Sequence, residues 1–320
     1  MLSQKSHCYS VILALGVVVF AAHFVPAQLR LPLPSQNASV KQTIGVTDVT
    51  ITYSRPGVKG RTIFGDAPAD AAAKGEASLD GQTNGLNGTA LVPYGHMWRT
   101  GANTATQFVV SDDVLINGQA LAAGTYTLHS IPGKDEWTYI FNGTANQAGS
   151  PTYDAKKDLL RVKTKPQWMT DSQETMMFVI DPAVDNMATV YFRWDKVRVP
   201  FTIEIKNMPA LVVSKARASV AAVKSDDWNT PYRAALYASR NKAAADANKW
   251  FEQALKAVAV SIAEKETFQN LTGKANILLE MGRKAEGLEI ADKAIARGKT
   301  DKVDTAAFEK RIADIKAGKM

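Results

Sequence analysis

The sequence predicts a β-plus-α chain, with an antiparallel β-sandwich of about ten strands over residues 38–206 and an all-α helical domain over 207–320. Three observations carry this expectation. Apolar residues alternate through the first region, as in Val49, Ile51, Tyr53 and again in Val190, Phe192, Trp194, which is the period of a strand with one buried face. Turn-forming residues recur between these runs without any helical pattern, which points to antiparallel pairing. After Lys206 the period becomes helical and alanine, lysine and glutamate dominate.

Taken in order, the strand candidates are 38–44, 46–54, 105–110, 113–116, 119–121, 124–131, 136–142, 159–164, 174–180, 188–194 and 197–205. Asn117-Gly118 marks a two-residue hairpin, because both central positions of the favoured turn need positive φ. Pro200 has no N–H to give a ladder, so the last candidate is expected at a sheet edge or broken there. Asp195 to Arg198, with Arg193 before it, reads as a charged hairpin with a solvated face. Residues 66–90 are rich in Ala, Gly, Asp, Asn and Thr with only Leu79 and Leu86 as large apolar side chains, and read as a disordered insertion. Helices are expected near 209–223, 229–240, 244–262, 267–281, 284–297 and 304–317, with Pro209 suited to a first turn and Met281-Gly282-Arg283 as a tight turn.

Residues 1–27 read as an export signal, with Lys5 as the positive start, a run of twelve apolar residues from Val11 to Ala22, and Val25-Pro26-Ala27 as a cleavage site. The run is short of the roughly 20 residues of a spanning helix, and no second one follows. Periplasmic or secreted location after cleavage near Ala27 is the expectation, with 28–37 as a linker and no transmembrane span in the mature chain. Cleavage discards Cys8, the only cysteine, which excludes disulfides and cysteine chemistry from the mature protein. It leaves 37 basic against 31 acidic side chains. That mild excess attracts anions weakly, and with no dense basic run it argues against nucleic acid as a partner.

Three segments stand out: Thr52-Tyr53-Ser54-Arg55-Pro56, Lys59-Gly60-Arg61-Thr62-Ile63-Phe64-Gly65, and the run from Leu91-Val92-Pro93-Tyr94-Gly95-His96 through Met97-Trp98-Arg99-Thr100-Gly101-Ala102-Asn103. In order and spacing they resemble the bacterial domain-of-unknown-function family 2911, and the resemblance extends through 121–142 and onward to Ile205. It implies an exported β-rich domain and no established activity. In the family pattern Phe64-Gly65 runs almost directly into Leu91-Val92-Pro93, which is why 66–90 reads as an insertion. Further on, Ala275, Leu278, Gly282, Glu286, Leu288, Ala291 and Ala294 resemble one tetratricopeptide unit, although a complete array is not expected from one unit.

Catalytic signatures are mostly missing. There is no HExxH and no GxSxG, and the mature chain holds only His96 and His129 as histidines. His129 and Ser130 are strand neighbours and point to opposite faces, so they do not form a base and nucleophile. Gly298-Lys299-Thr300 copies the end of a phosphate loop, but Lys293 stands where its first glycine belongs. Residues 80–85 (DGQTNG) are similar to a calcium loop, yet Leu91 occupies the position of the bidentate glutamate. No catalytic residue, metal ligand or cofactor is therefore assigned.

The candidate constellation is cationic and aromatic: Tyr53, Arg55, Lys59, Arg61, His96, Trp98, Arg99 and Asn103. Guanidinium forks match carboxylate, sulfate or phosphate oxygens, and an indole stacks on a sugar ring. The competing reading has Arg55 and Arg99 bracing loops through backbone carbonyls while Trp98 and Tyr53 fill the core. The expected role is a noncatalytic binding or scaffold module for a small anionic or glycan ligand, with a protein partner on the helical domain. A hydrolase or lyase of envelope polymers and a purely structural envelope protein are the alternatives.

Overall fold

A computed structural model describes residues 31–71, 75–181 and 186–319; the export signal read at 1–27 lies outside the described residues. Residues before Ser35 form a separate unit, of which the described four carry no strand or helix. Six strands make the larger sheet: β1 (Gln36–Ile44), β2 (Thr47–Arg55), then β7 (Thr106–Val110), β10 (Gly124–Ile131), β11 (Trp137–Asn142) and β12 (Asp158–Thr164), side by side in that order. A four-stranded sheet runs β13 (Gln167–Ile180), β14 (Met187–Glu204), β8 (Val114–Ile116), β9 (Gln119–Leu121). All pairings within both sheets are antiparallel, so the β-plus-α expectation holds. Two short parallel pairs complete the strands: β3 (Phe64–Gly65) with β5 (Val92–Pro93), and β4 (Gly75–Ser78) with β6 (His96–Met97).

The alternating pattern is the reason for this architecture. In β2 Val49, Ile51 and Tyr53 are buried, and opposite them in β7 are Val110 and Phe108. The inward faces of the two sheets share one core, where Phe108 and Tyr139 of the larger sheet meet Phe201 of the smaller with ring centroids 6.3 and 5.0 Å apart. Burying each such side chain stabilises the fold by about 1.5–3 kcal/mol. A polar cross-link joins the sheets as well: the buried Tyr139 hydroxyl donates to the Val199 carbonyl at 3.1 Å. Burial pushes that phenol well above its ordinary pKa.

Two local expectations are corrected. Residues 188–194 and 197–205 do not flank a hairpin; they belong to the single strand β14. Inward residues run Ala188, Val190, Phe192, Trp194 and then Val197, Val199, Phe201, Ile203, so one extra residue shifts the alternation. Asp195 sits at this shift with φ 48°, opposite the irregular stretch of β13 around Gln173, and its carboxylate accepts from Ser172 Oγ at 2.7 Å. Pro200 is neither at an edge strand nor a break. It falls after the last pairing with β13, at Arg198, and before the first with β8, at Ile203, where no ladder N–H is required. The Asn117-Gly118 turn joins β8 to β9 with φ 47° and 79°, as its sequence predicts.

Among the described residues six α-helices follow: α1 (Met208–Ala221), α2 (Asn229–Arg240), α3 (Ala244–Glu264), α4 (Phe268–Glu280), α5 (Lys284–Thr300) and α6 (Ala306–Lys316). Asn207 caps α1 by accepting from the Ala210 N–H at 3.1 Å, with Pro209 in the first turn where a missing donor costs nothing. Helix α1 ties the two regions together. Met208 and Leu211 pack on the sandwich core, whereas Val213 and Val220 belong to the helical core with Trp250 and Phe251. Its Lys215 ammonium donates to the Val46 carbonyl at 3.0 Å and to Asp112 at 2.7 Å. No helix among the described residues is long and apolar enough to cross a membrane.

Candidate functional site

The segment after β6 carries Trp98, Arg99 and Asn103 across one end of the sandwich. It is pinned by a two-way backbone bridge between Trp98 and Ser130 of β10, at 2.8 and 2.9 Å, and by the Thr106 N–H to the Arg99 carbonyl at 3.1 Å. Trp98 is buried and stacks on Trp194 of β14 with centroids 5.9 Å apart and planes 19° from parallel. Phe64 meets both indoles edge-on, at 6.1 and 5.8 Å. Above this aromatic floor lies a pocket of about 210 Å³, lined among others by Arg61, Asp80, Trp98, Arg99, Asn103 and Trp194.

The arginines differ in how they are held. Arg61 donates through Nε to the Val58 carbonyl at 3.2 Å and through Nη2 to the Gly57 carbonyl at 2.5 Å, and it has no acidic partner among the described residues. Arg99 donates through Nη1 to the Asn103 carbonyl at 2.6 Å and through Nε to Asp80 at 3.1 Å. The same Asp80 oxygen accepts the Arg99 backbone N–H at 3.1 Å and the Ser150 hydroxyl. Each guanidinium thereby keeps one terminal nitrogen, Nη1 of Arg61 and Nη2 of Arg99, without a partner among the described residues. The buried indole N–H of Trp194 also lacks one. With Asp80 balancing Arg99, the pocket carries the one uncompensated charge of Arg61.

Of the residues singled out from sequence, Arg61, Trp98, Arg99 and Asn103 come together here. The other four stand apart. Arg55 Nε donates to the Met176 carbonyl at 2.9 Å, a brace between the two sheets. The Tyr53 hydroxyl accepts the Phe178 N–H at 3.0 Å while its ring meets Phe178 edge-on at 5.0 Å. Lys59 occupies an exposed turn with φ 49°, and its N–H donates to Glu174 at 3.0 Å. His96 is buried in β6, and its Nδ1 has no partner among the described residues. His129 is buried too, with Nε2 3.0 Å from Gln147 Oε1, and burial lowers its pKa below 6.5.

Sequence reasoning missed Asp80 and Trp194. Asp80 lies in the stretch 66–90, of which residues 78–85 are bonded to the motif segments, so that part is not the disordered insertion expected. Ser78 Oγ donates to the Met97 carbonyl at 3.1 Å, the Thr62 N–H to the Gly85 carbonyl at 2.9 Å, and Leu79 is buried. Order comes from hydrogen bonds to the motif segments and from the Asp80 ion pair, so a count of the insertion's own apolar residues does not reveal it. Trp194 was legible only as an inward strand residue. Among the described residues no group of three or more His, Cys, Asp or Glu side chains is placed to hold a metal ion.

No curated protein and no solved structure matches this chain. Every residue named in lining the pocket falls within 35–203, the stretch that fits the family model described as "Protein of unknown function (DUF2911)". That match spans more than half of the chain, which therefore belongs to this family.

Proposed function

We propose that the protein is an exported, noncatalytic binding module whose sandwich takes a small anionic or glycan ligand in the pocket above Trp98 and Trp194. The reading rests on one observation: a buried aromatic floor beneath two guanidinium groups that keep free donors and only one of whose charges is balanced. A carboxylate or phosphate oxygen satisfies such donors in the fork geometry that arginine prefers. An indole floor accepts the apolar face of a sugar ring. The reading takes residues 1–27 as an export signal, which puts the site in the periplasm or outside the cell. The helical region, read from its sequence as tetratricopeptide-like across Met281-Gly282-Arg283, serves in this proposal as the surface for a protein partner.

The test is thermal unfolding of the protein and of Arg61→Gln with glucuronate, galacturonate, acetate, phosphate or sulfate at low and moderate salt. At least one of these raises the wild-type midpoint, since a ligand at about 100 times its Kd adds roughly 2.7 kcal/mol, and Arg61→Gln abolishes the rise. If none of the five moves the wild type, the arginines are braces and the binding reading falls.

A further inference from the structure

Beside this pocket lies a second one of about 180 Å³, on the outer face of the six-stranded sheet. Its lining differs in kind. Thr52, Thr104, Gln107, Thr127 and Asn146 offer hydroxyls and amides, and none of its lining residues is charged. The Gln107 amide donates to Asn146 Oδ1 at 3.4 Å, a long bond that a ligand amide or hydroxyl can replace. Each amide supplies both donors and an acceptor, which suits a neutral, hydroxyl- and amide-bearing sugar and offers no counter-charge to an anion.

The two pockets share a wall. Asn103 lines the first and its chain neighbour Thr104 the second, while Ser35 lines the first and Asn37 the second. The wall is a row of hydrogen bonds: Asn103 Nδ2 donates to Ser54 Oγ at 3.2 Å and Ser54 Oγ donates to Asn37 Oδ1 at 2.7 Å. Asn103 Nδ2 also holds the Ser35 carbonyl at 3.0 Å. Each pocket is smaller than the roughly 300–1,000 Å³ that drug-sized ligands occupy, so each has room for one ring.

The geometry points to a pair of adjacent subsites for an acidic glycan, one sugar carboxylate at Arg61 over the indole floor and a neutral sugar at Gln107 and Asn146 across the Asn103 wall. This rests on the binding role proposed for the first pocket and adds a second site and a repeating acidic–neutral ligand. The single unbalanced charge of the first pocket matches one carboxylate per disaccharide.

Isothermal titration of the protein with glucuronic acid, N-acetylglucosamine and the disaccharide that links the two tests it, using wild type, Gln107→Ala and Arg61→Gln. The disaccharide binds about tenfold more tightly than glucuronic acid, because the second ring is captured at high effective concentration. Gln107→Ala removes that gain and leaves the Kd for glucuronic acid in place, whereas Arg61→Gln weakens both acidic ligands. Equal Kd values for glucuronic acid and the disaccharide, or a gain that survives Gln107→Ala, overturn the second subsite and leave the first pocket standing. Loss of binding for every ligand on the wild type overturns both.

Discussion

At the scale of single residues, burial decides what each polar side chain does. His129 is buried with its Nε2 bonded to Gln147, and desolvation, partly offset by that bond and by the charges of Asp80 and Asp158, holds its pKa below 6.5. The unfolded chain therefore takes up a proton that the folded one refuses. Stability from this group is fully present above about pH 6.5 and declines as pH falls toward the lower folded value. Asp112 and Asp227 are held below 3.8, so their losses come at more acid pH and leave this window to the histidine. Urea midpoints measured from pH 7 down to pH 5 are expected to fall for the wild type and to run flatter for His129→Gln; parallel slopes in the two proteins would exclude the assignment. From sequence, His129 read as a strand residue pointing away from Ser130. Its strand position was legible, but its one side-chain partner, Gln147, lies in a loop without any periodic signal. The motif segments grouped Arg55 with Arg61 and Arg99, yet Arg55, with the same chemistry, is spent on the Met176 carbonyl, a contact made 121 residues away that no local pattern encodes.

At the scale of elements, the strands were legible because alternation maps directly onto burial, and the helices because their caps and period agree. What escaped the sequence is pairing without apolar content. Strand β4 lies along β6 through backbone pairing and the Ser78 Oγ bond to the Met97 carbonyl, and just beyond both strands Asp80 pairs with Arg99, their side chains 7 % and 19 % exposed respectively. Arg99→Ala leaves that carboxylate without its counter-charge and is expected to cost about 3 kcal/mol, near the low end for a broken buried pair. Asp80→Ala with Arg99→Ala should cost less than the two singles combined, by about 1–3 kcal/mol in a double-mutant cycle of urea unfolding. Limited proteolysis should cut between 66 and 90 faster in Asp80→Ala than in the wild type. A strictly additive cycle with unchanged cleavage would mean that the pair does not hold this segment. The shift at Asp195 follows the same lesson: the alternation showed the slip between Trp194 and Val197, and only the structure distinguishes a continuous strand from a hairpin there.

At the scale of the whole molecule, α1 is the splint, with Leu211 and Met208 on the sandwich and Val213 and Val220 among the helices. Hydrogen exchange should therefore give β7 and α3 amides similar opening free energies in the wild type. Leu211→Asp places a charge in that joint and should speed exchange in α3 while β7 keeps its protection; equal acceleration in both would show that the cores unfold as one regardless of the splint. A different consequence follows from the order in which strands leave the ribosome. All six strands of the larger sheet have been synthesised by Thr164, but β8 and β9 find their neighbour only when Ile203 arrives to pair with Ile116. Until then one apolar face of the nascent chain has no cover. Closure must bridge a long loop, which makes the last step of folding slow and keeps the chain pliable in the meantime. Under the export proposed above, to the periplasm or outside the cell, that delay is an advantage: the sequence feature that completes the sandwich is the one that arrives last.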